Sequence, residues 1–526
     1  MKPVKLFFVV FALALVTVTG CQPVAQVAAQ NPIIWADVPD VSVIRVDDTY
    51  YMSSTTMHMN PGVPIMRSKD LVNWTLVDYA YDRLVDNDAM NLKNGENAYG
   101  RGSWASSLRY HNEQFYVSTF SATSGKTHTY TTKKIGAGNW QEVNFSPDLH
   151  DLSLYFENGR SFMVYGGGDI RLVELNDDLS GPKPGGINQV IIKNASAVAG
   201  SDIMLPAEGS QLRKINGYYY LLTITWPQDG MRTVLVHRAE SLTGPYTGKV
   251  ALQDQGIAQG SLIDTPAGDW YGLLFGDRGA VGRIPYLVPV HWQDNWPVFG
   301  VDGKVPQRLD MAVANQNVAG IVTSDEFNSD TLSLPWQWNH NPDNKHWSLT
   351  EREGFLRLGN GRIDKTLLDT RNTLTQRTFG PESTASVKID ISHLQQGDVA
   401  GLALIQKHYG YIGVKRSDTG TEIVAVQTAN EQPATLATLP LQQQDVYFKA
   451  RAEFRDKTDQ AQFYYSLNGN DWVPLGPVLT MEYTLPHFMG YRFGLFHFAT
   501  QELGGSADFD YYRLAPFKPI DRPPSL

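Results

Sequence analysis

Three acidic residues occupy the same position in a repeated sequence pattern. Asp40, Asp151 and Glu208 each stand two residues before a serine that opens a short apolar segment. Carboxyl groups that meet in one place can carry acid–base chemistry: a protonated one helps a leaving oxygen depart, and an ionised one activates water. A third carboxylate nearby keeps the acid protonated through like-charge repulsion. A single acidic residue before a strand often only caps a turn, so the inference depends on all three sharing one register.

The repeat that carries these residues predicts a β-propeller. Five segments share a small polar residue, a short apolar strand, a turn and an aromatic-rich strand, and they begin 46 to 65 residues apart. Repeats of about 40–50 residues with several short strands each are typical of propeller blades. The register position is occupied, in chain order, by Asp40, Ala105, Asp151, Glu208 and Gln259. Equivalent positions lie on a ring, so a five-bladed propeller over residues 31–300 would gather three carboxyls in one central pocket.

Composition excludes several classes of protein. The chain has 526 residues, which corresponds to two or three domains at about 150 residues each. Its formal net charge of −10 argues against nucleic-acid binding, which needs a basic surface. With 42% hydrophobic and 19% charged residues, it is not a disordered chain. A single cysteine excludes a disulfide scaffold and a cysteine-based zinc site, and we expect no organic cofactor.

The first 21 residues predict a lipoprotein signal peptide. Two lysines precede an apolar run over residues 6–18, which is too short to span a bilayer permanently. The string VTGC that follows resembles a bacterial lipobox, whose cysteine, here Cys21, is lipidated and becomes the mature N-terminus. The alternative is an ordinary signal peptide with a chance cysteine. Residues 22–30 are interpreted as a tether. The protein would then be lipid-anchored in the bacterial cell envelope, at the outer membrane or facing the periplasm.

Six strings spread over the first 300 residues carry a family resemblance: NPIIWADVPDVSVIRVDDTYY, PGVPIMRSKDLVNW, GSWASSLRYHNEQFYV, HDLSLYF, AEGSQLRKINGYYYL and DTPAGDWYGLLFGDRGAVGRIPYLVPVHW. Through them the region resembles glycoside hydrolase family 43, whose fold is a five-bladed propeller. The resemblance implies that Asp40 is the general base, Glu208 the general acid, and Asp151 the aspartate that modulates the acid. The proline that usually follows each aspartate is missing here. Asp37 is a rival for the base, but it falls outside the register.

The resemblance also implies residues that contact the substrate. Trp74 corresponds to an aromatic wall of the terminal-sugar subsite, with the propeller core as the alternative. Arg283 corresponds to an arginine that binds sugar hydroxyls and orients the base, with a surface salt bridge as the alternative. His58 is expected at the pocket rim. Gln259 stands where many members place a histidine that helps to hold a central ion or water. We therefore assign Gln259 to substrate binding and leave a metal at the propeller centre open.

The second half of the chain has a different pattern. Residues 301–323 carry no propeller motif and are interpreted as a connector, and alternating strands over residues 324–526 predict a β-sandwich. The strings DEFNSDTLSLPWQWNHNPDNKHWSL, RNTLTQRTFGP and GDVAGLALIQ resemble the concanavalin-A-like C-terminal domain of many family 43 enzymes. In that group the sandwich can contribute a loop that closes the pocket. Asp325 is expected to share a structural calcium ion with Asp508 or Asp510, and the alternative is a chain-end salt bridge or cap.

These patterns predict an all-β enzyme made of a propeller and a sandwich. Carboxyls on opposite sides of a ring would leave room for water, which predicts inversion at the anomeric carbon. The resemblance implies an exo-acting glycosidase that removes α-L-arabinofuranose or β-D-xylose from hemicellulose such as arabinoxylan, xylan oligosaccharides or xyloglucan. The string MHMNPGVP is typical of the arabinofuranosidase subgroup. The alternatives are an endo-arabinanase with an open cleft and a non-catalytic, carbohydrate-binding lipoprotein.

Overall fold

The computed structural model describes residues 26–429 and 432–515. Within these residues the chain consists of β-strands and loops, with four short 3-10 helices at Ala195–Ala199, Gly279–Val281, Leu367–Asp369 and Arg455–Lys457. The predicted all-β class is therefore confirmed. In this part of the chain no helix is long and apolar enough to cross a membrane. The predicted signal peptide and Cys21 lie outside the described residues.

Five antiparallel four-stranded sheets form the blades of a propeller, which confirms the predicted blade count. Each blade is a meander whose strands follow in chain order. The first strands of successive blades contact each other, and that of blade V contacts that of blade I, which closes the ring. The strands are, for blade I, Ser42–Val46, Thr49–Ser53, Gly62–Ser68 and Thr75–Tyr81; for blade II, Ser106–His111, Gln114–Ser121, Lys126–Thr132 and Gln141–Phe145; for blade III, Ser153–Glu157, Arg160–Tyr165, Ile170–Leu175 and Asn188–Ile192; for blade IV, Ile203–Ile215, Tyr218–Pro227, Thr233–Ala239 and Thr247–Leu252; and for blade V, Ala258–Asp264, Trp270–Asp277, Arg283–Gln293 and Trp296–Phe299.

Two-residue turns explain the regular hairpins at the start of three blades. Every residue of these turns has a positive φ: Asn112-Glu113 in blade II, Asn158-Gly159 in blade III and Asn216-Gly217 in blade IV. Two successive residues with positive φ form the type I′ turn, whose twist matches that of the flanking strands. Asn and Gly adopt this conformation most readily, so the turn chemistry of the repeat sets the strand pairing.

The serines of the repeat join neighbouring blades. In three places the serine Oγ accepts a hydrogen bond from a backbone N–H on the first strand of the next blade, each at 3.0 Å: Leu108 to Ser42, Leu154 to Ser107 and Leu212 to Ser153. A small side chain with an acceptor is needed where two innermost strands lie this close. The recurrence of serine in the repeat therefore has a packing cause.

Blade IV departs from the predicted register by one residue. Between Glu208 and Gln211 its first strand advances three residues while the paired strand advances two, which is a β-bulge. Gln211 therefore occupies the place directly before the leucine that a serine occupies in blades II and III. The Oγ of Ser210 has no hydrogen-bond partner. The predicted equivalence of Ser210 with the other serines is therefore wrong, because the bulge inserts one extra residue before the equivalent position.

The two ends of the propeller meet at blade V. Val27–Gln30 forms a strand that pairs antiparallel with Arg308–Val313, so part of the segment interpreted as a tether is ordered against the segment interpreted as a connector. The side chain of Asn31 donates hydrogen bonds to the carbonyl oxygens of Leu287 at 2.8 Å and Pro306 at 2.9 Å. These contacts hold the start of the propeller next to its end.

Two eight-stranded antiparallel sheets, sheet A and sheet B, form the C-terminal sandwich. In spatial order sheet A comprises Gln432–Pro440, Gly420–Ala429, Gly410–Ser417, Asp398–Ile405, Arg492–Ala499, Leu374–Arg377, Gln337–Asn339 and Met59–Asn60. Sheet B comprises Trp347–Ser348, Leu356–Gly359, Ser506–Leu514, Glu382–Asp390, Asp445–Glu453, Gln460–Ser466 and Val473–Pro474, with Leu479–Thr480 also paired to Gln460–Ser466.

The propeller and the sandwich share both a sheet and a core. The last strand of sheet A, Met59–Asn60, comes from the propeller and pairs with Gln337–Asn339 of the sandwich. One buried hydrophobic cluster includes Tyr220 and Phe299 of the propeller together with Phe327 of the sandwich. This shared packing fixes the sandwich against the propeller and lets a sandwich loop reach the propeller's central cavity.

Candidate active site

All five register positions of the repeat line one cavity of about 260 Å³: Asp40, Ala105, Asp151, Glu208 and Gln259. Three of them, Asp40, Asp151 and Gln259, also share a left-handed backbone conformation, with φ of 53°, 49° and 53°. This conformation is uncommon and costly outside glycine. Its recurrence at equivalent positions indicates that each blade aims the side chain at this position into the same cavity.

Asp40 is held as an ion pair at the base of the cavity. The guanidinium Nη1 of Arg283 donates to both of its oxygens, at 3.0 and 3.1 Å, and the hydroxyl of Thr55 donates to Oδ2 at 2.5 Å. Burial alone would lower the pKa of Arg283, but the charge of Asp40, together with the smaller effects of Tyr483, Asp37 and Asp277, outweighs burial and raises it. Arg283 therefore stays cationic and fixes the orientation of Asp40, in line with the predicted role in orienting the base.

Glu208 and Asp151 line the cavity close to each other, with His150 beside them. The Nε2 of His150 donates a hydrogen bond to Glu208 Oε2 at 2.9 Å and lies 4.0 Å from Asp151 Oδ2. One oxygen of each carboxyl and the imidazole nitrogen lie within 4.8 Å of one another. Burial raises the pKa of Asp151 to about 7. The charge of His150 opposes this rise, and the charges of Glu208 and Asp40 add to the rise.

Gln259 lies beside the bulge that carries Glu208. A Cβ atom on Gly209 would sit 2.7 Å from Gln259 Cγ, and Gly209 itself has a φ of 72°. Only glycine fits between these two blades at that point. Gln259 thus presents an amide, which can donate and accept hydrogen bonds, to the cavity where a substrate contact was predicted.

Aromatic rings wall the cavity, and a loop of the sandwich roofs it. Residues 481–490, the roof loop, contribute Leu485 and Phe488 to the lining of the cavity. The ring of Phe488 stacks on Trp104 of the propeller at a centroid distance of 5.5 Å and lies 4.3 Å from the guanidinium carbon of Arg283. Arg283 also donates to the carbonyl oxygen of Phe488 at 3.3 Å. The sandwich therefore completes the cavity that the propeller begins.

Asp37, the rival for the base, has a structural position. Its Oδ1 accepts the backbone N–H of Arg283 at 2.7 Å, and its Oδ2 accepts that of Gly490 at 3.1 Å. Its side chain does not line the cavity. Burial raises the pKa of Asp37, and the charge of Arg283 and these hydrogen bonds oppose the rise. Asp37 joins blade V to the roof loop.

The predicted sugar-binding role of Trp74 is not met. Trp74 is 3% exposed within a propeller core cluster and does not line the cavity. Its Nε1 donates to the carbonyl oxygen of Leu71 at 2.9 Å, and Asp70 Oδ1 accepts the N–H groups of Val72 and Asn73. This tight turn folds the indole inward, so the core alternative is correct for Trp74.

His58 does not rim the pocket either. It is fully buried at the contact between propeller and sandwich, where its Nε2 donates to Asn339 Oδ1 at 3.0 Å. Its ring packs against those of Tyr99 and His340 at 4.7 Å each. Burial lowers the pKa of His58 to about 3, which keeps it neutral. The next two residues, Met59–Asn60, form the strand that pairs with the sandwich. This pairing explains why the segment turns away from the cavity.

The three carboxylates expected to bind calcium are bound by the protein itself. Asp508 is paired with Arg352 at 2.8 Å and Arg357 at 2.7 Å. Asp325 Oδ2 accepts the Nε1–H of Trp336 at 2.9 Å, and Asp510 pairs with a lysine at 2.9 Å. Across residues 26–429 and 432–515 these aspartates do not form a cluster that could hold an ion. These contacts favour the alternative, salt bridges and caps at the chain end, and the calcium ion stays a prediction.

Sequence reasoning missed most of the cavity's aromatic lining: Trp104, Trp226, Phe275 and Phe488. One signal for Trp104 was available, because it directly precedes Ala105, the register position of blade II. Nothing local marks Phe488, since the roof loop reaches the cavity only through the packing of the two domains. His150 was also missed as a site residue, although it directly precedes Asp151.

Two family models match the chain. The model "Glycosyl hydrolases family 43" matches residues 29–297, and "Beta xylosidase C-terminal Concanavalin A-like domain" matches residues 324–515. Together they cover nearly all of the propeller, and the sandwich from residue 324 onward.

Two named relatives and a solved structure are similar to most of the chain. It is 27% identical to a beta-xylosidase of Formosa agariphila, over 92% of this chain and 89% of that protein. It is 29% identical to the non-reducing end alpha-L-arabinofuranosidase BoGH43B of Bacteroides ovatus, over 78% of this chain and 82% of that one. A solved bifunctional GH43-CE protein of Bacteroides eggerthii is 57% identical, superposes with a TM-score of 0.92 and covers 93% of this chain. This chain spans 64% of that longer protein.

Proposed function

Since the chain belongs to glycosyl hydrolases family 43, we propose that it is an inverting, exo-acting glycosidase that releases single terminal pentoses from hemicellulose. The pentose is α-L-arabinofuranose or β-D-xylose. The observation that carries the proposal is the convergence of Asp40, Asp151 and Glu208, from three separate blades, on one roofed cavity of about 260 Å³. The relatives named beta-xylosidase and alpha-L-arabinofuranosidase support the same class of substrate.

The proposed reaction is a single displacement. Asp40, oriented by Arg283 and Thr55, takes a proton from water as the water oxygen bonds to the anomeric carbon. The bond to the leaving oxygen breaks, and Glu208 gives that oxygen its proton. Asp151 lies within 4.8 Å of Glu208 and places a second carboxyl beside the acid. The step needs no organic cofactor.

The shape of the cavity supports release from a chain end. The roof loop of the sandwich adds Leu485 and Phe488 to a cavity that the propeller lines with Trp104 and Trp226. An endo-arabinanase, the first alternative, needs a cleft open at both ends, and this roof opposes it. The second alternative, a non-catalytic binding protein, would have no need for the complete set of three carboxyls.

A release assay on matched substrates tests the proposal. We expect hydrolysis of an aryl α-L-arabinofuranoside, an aryl β-D-xyloside or both, and release of monosaccharide alone from arabinoxylan. Proton NMR of the first product formed should show the anomer opposite to that of the substrate. Mixed oligosaccharides from linear arabinan would favour the endo alternative, retention would exclude single displacement, and no turnover on any substrate would favour the binding protein.

We also propose that Cys21 anchors the protein to a membrane through a lipid. The support is the lipobox-like string VTGC after an apolar run. In a bacterial host that processes lipoproteins, the full chain is expected in the detergent-soluble membrane fraction, and Cys21→Ser is expected to move it to the soluble fraction. Equal distribution of the two forms would contradict lipidation.

A further inference from the structure

His150 stands next to the proposed acid and is held on several sides. Its Nε2 donates to Glu208 Oε2 at 2.9 Å. Its ring meets Phe120 edge-on at 5.2 Å, and its carbonyl oxygen accepts the N–H of Gly166 at 2.9 Å. About 41% of the side chain remains exposed. The imidazole is thus fixed in orientation, lines the cavity and can exchange protons with water.

The groups that face His150 are acidic. Glu208 approaches from blade IV, while Asp151 and Asp148 belong to its own segment, and Asp40 lies beyond Asp151 in its ion pair with Arg283. Burial alone would lower the pKa of His150. Its hydrogen bond to Glu208 and the charges of Asp151, Glu208 and Asp148 outweigh burial and raise the pKa to about 9.

We propose that His150 is a positioning residue whose hydrogen bond orients Glu208, and that the two share one proton, so that the pair rather than Glu208 alone sets the alkaline limit of activity. This inference rests on the proposed function, in which Glu208 is the general acid. No part of the family resemblance assigns His150 a role.

The argument follows from how two coupled groups titrate. Interacting groups lose their protons in two steps that belong to the pair. Between these steps the pair holds one proton, on His150 Nε2 or on Glu208 Oε2, across a single hydrogen bond. Only the form with the proton on Glu208 can protonate the leaving oxygen, and His150 is then neutral. This reactive form persists until the pair loses its last proton.

Two substitutions separate orientation from proton sharing. His150→Gln keeps an N–H donor near the Nε2 position but does not titrate. We expect it to preserve kcat/KM at the optimum, because its amide N–H still orients Glu208, and to move the alkaline limb to lower pH, because the variant no longer shares the last proton of the pair. His150→Phe removes the donor as well. We expect the same shift together with a loss of up to about tenfold at the optimum, the worth of an ordinary hydrogen bond.

The test uses pH profiles of kcat/KM on two substrates. The shift is expected on a pentose-containing oligosaccharide, whose leaving sugar needs a proton, and not on a dinitrophenyl pentoside, whose leaving group departs without one. His111→Gln is the matched control, because His111 stacks on Phe156 at 4.5 Å away from the cavity. It should keep the wild-type profile on both substrates.

An alkaline limb that stays at the wild-type pH in His150→Gln on the oligosaccharide would overturn the proposal. Thermal unfolding of each variant shows whether it is folded, and the polar glutamine variant still decides the question if the phenylalanine variant is not. Failure of the proposed function looks different: Glu208→Ala would then lose activity equally on both substrates, whatever the His150 variants do.

Discussion

Glu208→Ala is expected to lower kcat/KM by about 10³-fold on a pentose-containing oligosaccharide, and much less on a dinitrophenyl pentoside. The sugar hydroxyl that leaves from the oligosaccharide is a poor leaving group and needs the proton of Glu208. Dinitrophenolate is stable without one. Michaelis–Menten kinetics on both substrates at one pH measure the two ratios.

The matched control for this prediction is Glu240→Ala. Glu240 is exposed just after a blade IV strand and lies outside the cavity lining, so its removal should leave both rates unchanged. An equal loss on both substrates in Glu208→Ala would show that Glu208 positions the substrate rather than donating a proton.

Asp40→Asn is expected to abolish activity on both classes of substrate, with losses of about 10⁴-fold. Asparagine has nearly the same shape as aspartate but cannot take a proton from water. The attack step is common to all substrates, so the quality of the leaving group cannot compensate for the loss. Kinetics on the same two substrates give the measurement, and a parallel NMR assay can detect residual product.

Asp47→Asn tests whether the effect is specific to position 40. Asp47 is exposed in a turn with a φ of 53°, a conformation that asparagine adopts readily, so this variant should keep wild-type activity. If Asp40→Asn retained its rate on the dinitrophenyl pentoside, Asp40 could not be the base.

The repeat made the core of the site predictable. Asp40 and Asp151 stand two residues before the first strand of a blade, and Glu208 and Gln259 lie within one. Equivalent places at such strands face the same axis. The local sequence therefore identified these positions, and the closure of five blades into a ring brings them together in one cavity. The bulge at Glu208 shifted Ser210 out of register without moving Glu208 away from the cavity, because the extra residue lies after it.

Features that depend on distant packing were not predictable. Trp74 and Trp104 each stand just before a strand of a blade. Only the turn at Asp70 folds the ring of Trp74 into the core. Phe488 reaches the cavity from the other domain. The residues next to Asp508 in the chain do not indicate an ion pair, but Arg352 and Arg357 pair with it from elsewhere in the sandwich. In each case the deciding neighbour is distant in the chain, and no local pattern encodes it.

The strand Met59–Asn60 has a consequence for how such proteins can be recombined in evolution. A crossover near residue 320 would divide the gene at an obvious joint, yet sheet A would lose the strand at its edge and expose unpaired backbone groups. Asp37 would at the same time lose the roof-loop amide of Gly490. We therefore expect that exchange of one half alone would disrupt this seam, and that a substitution on one side of it would need a compensating substitution on the other.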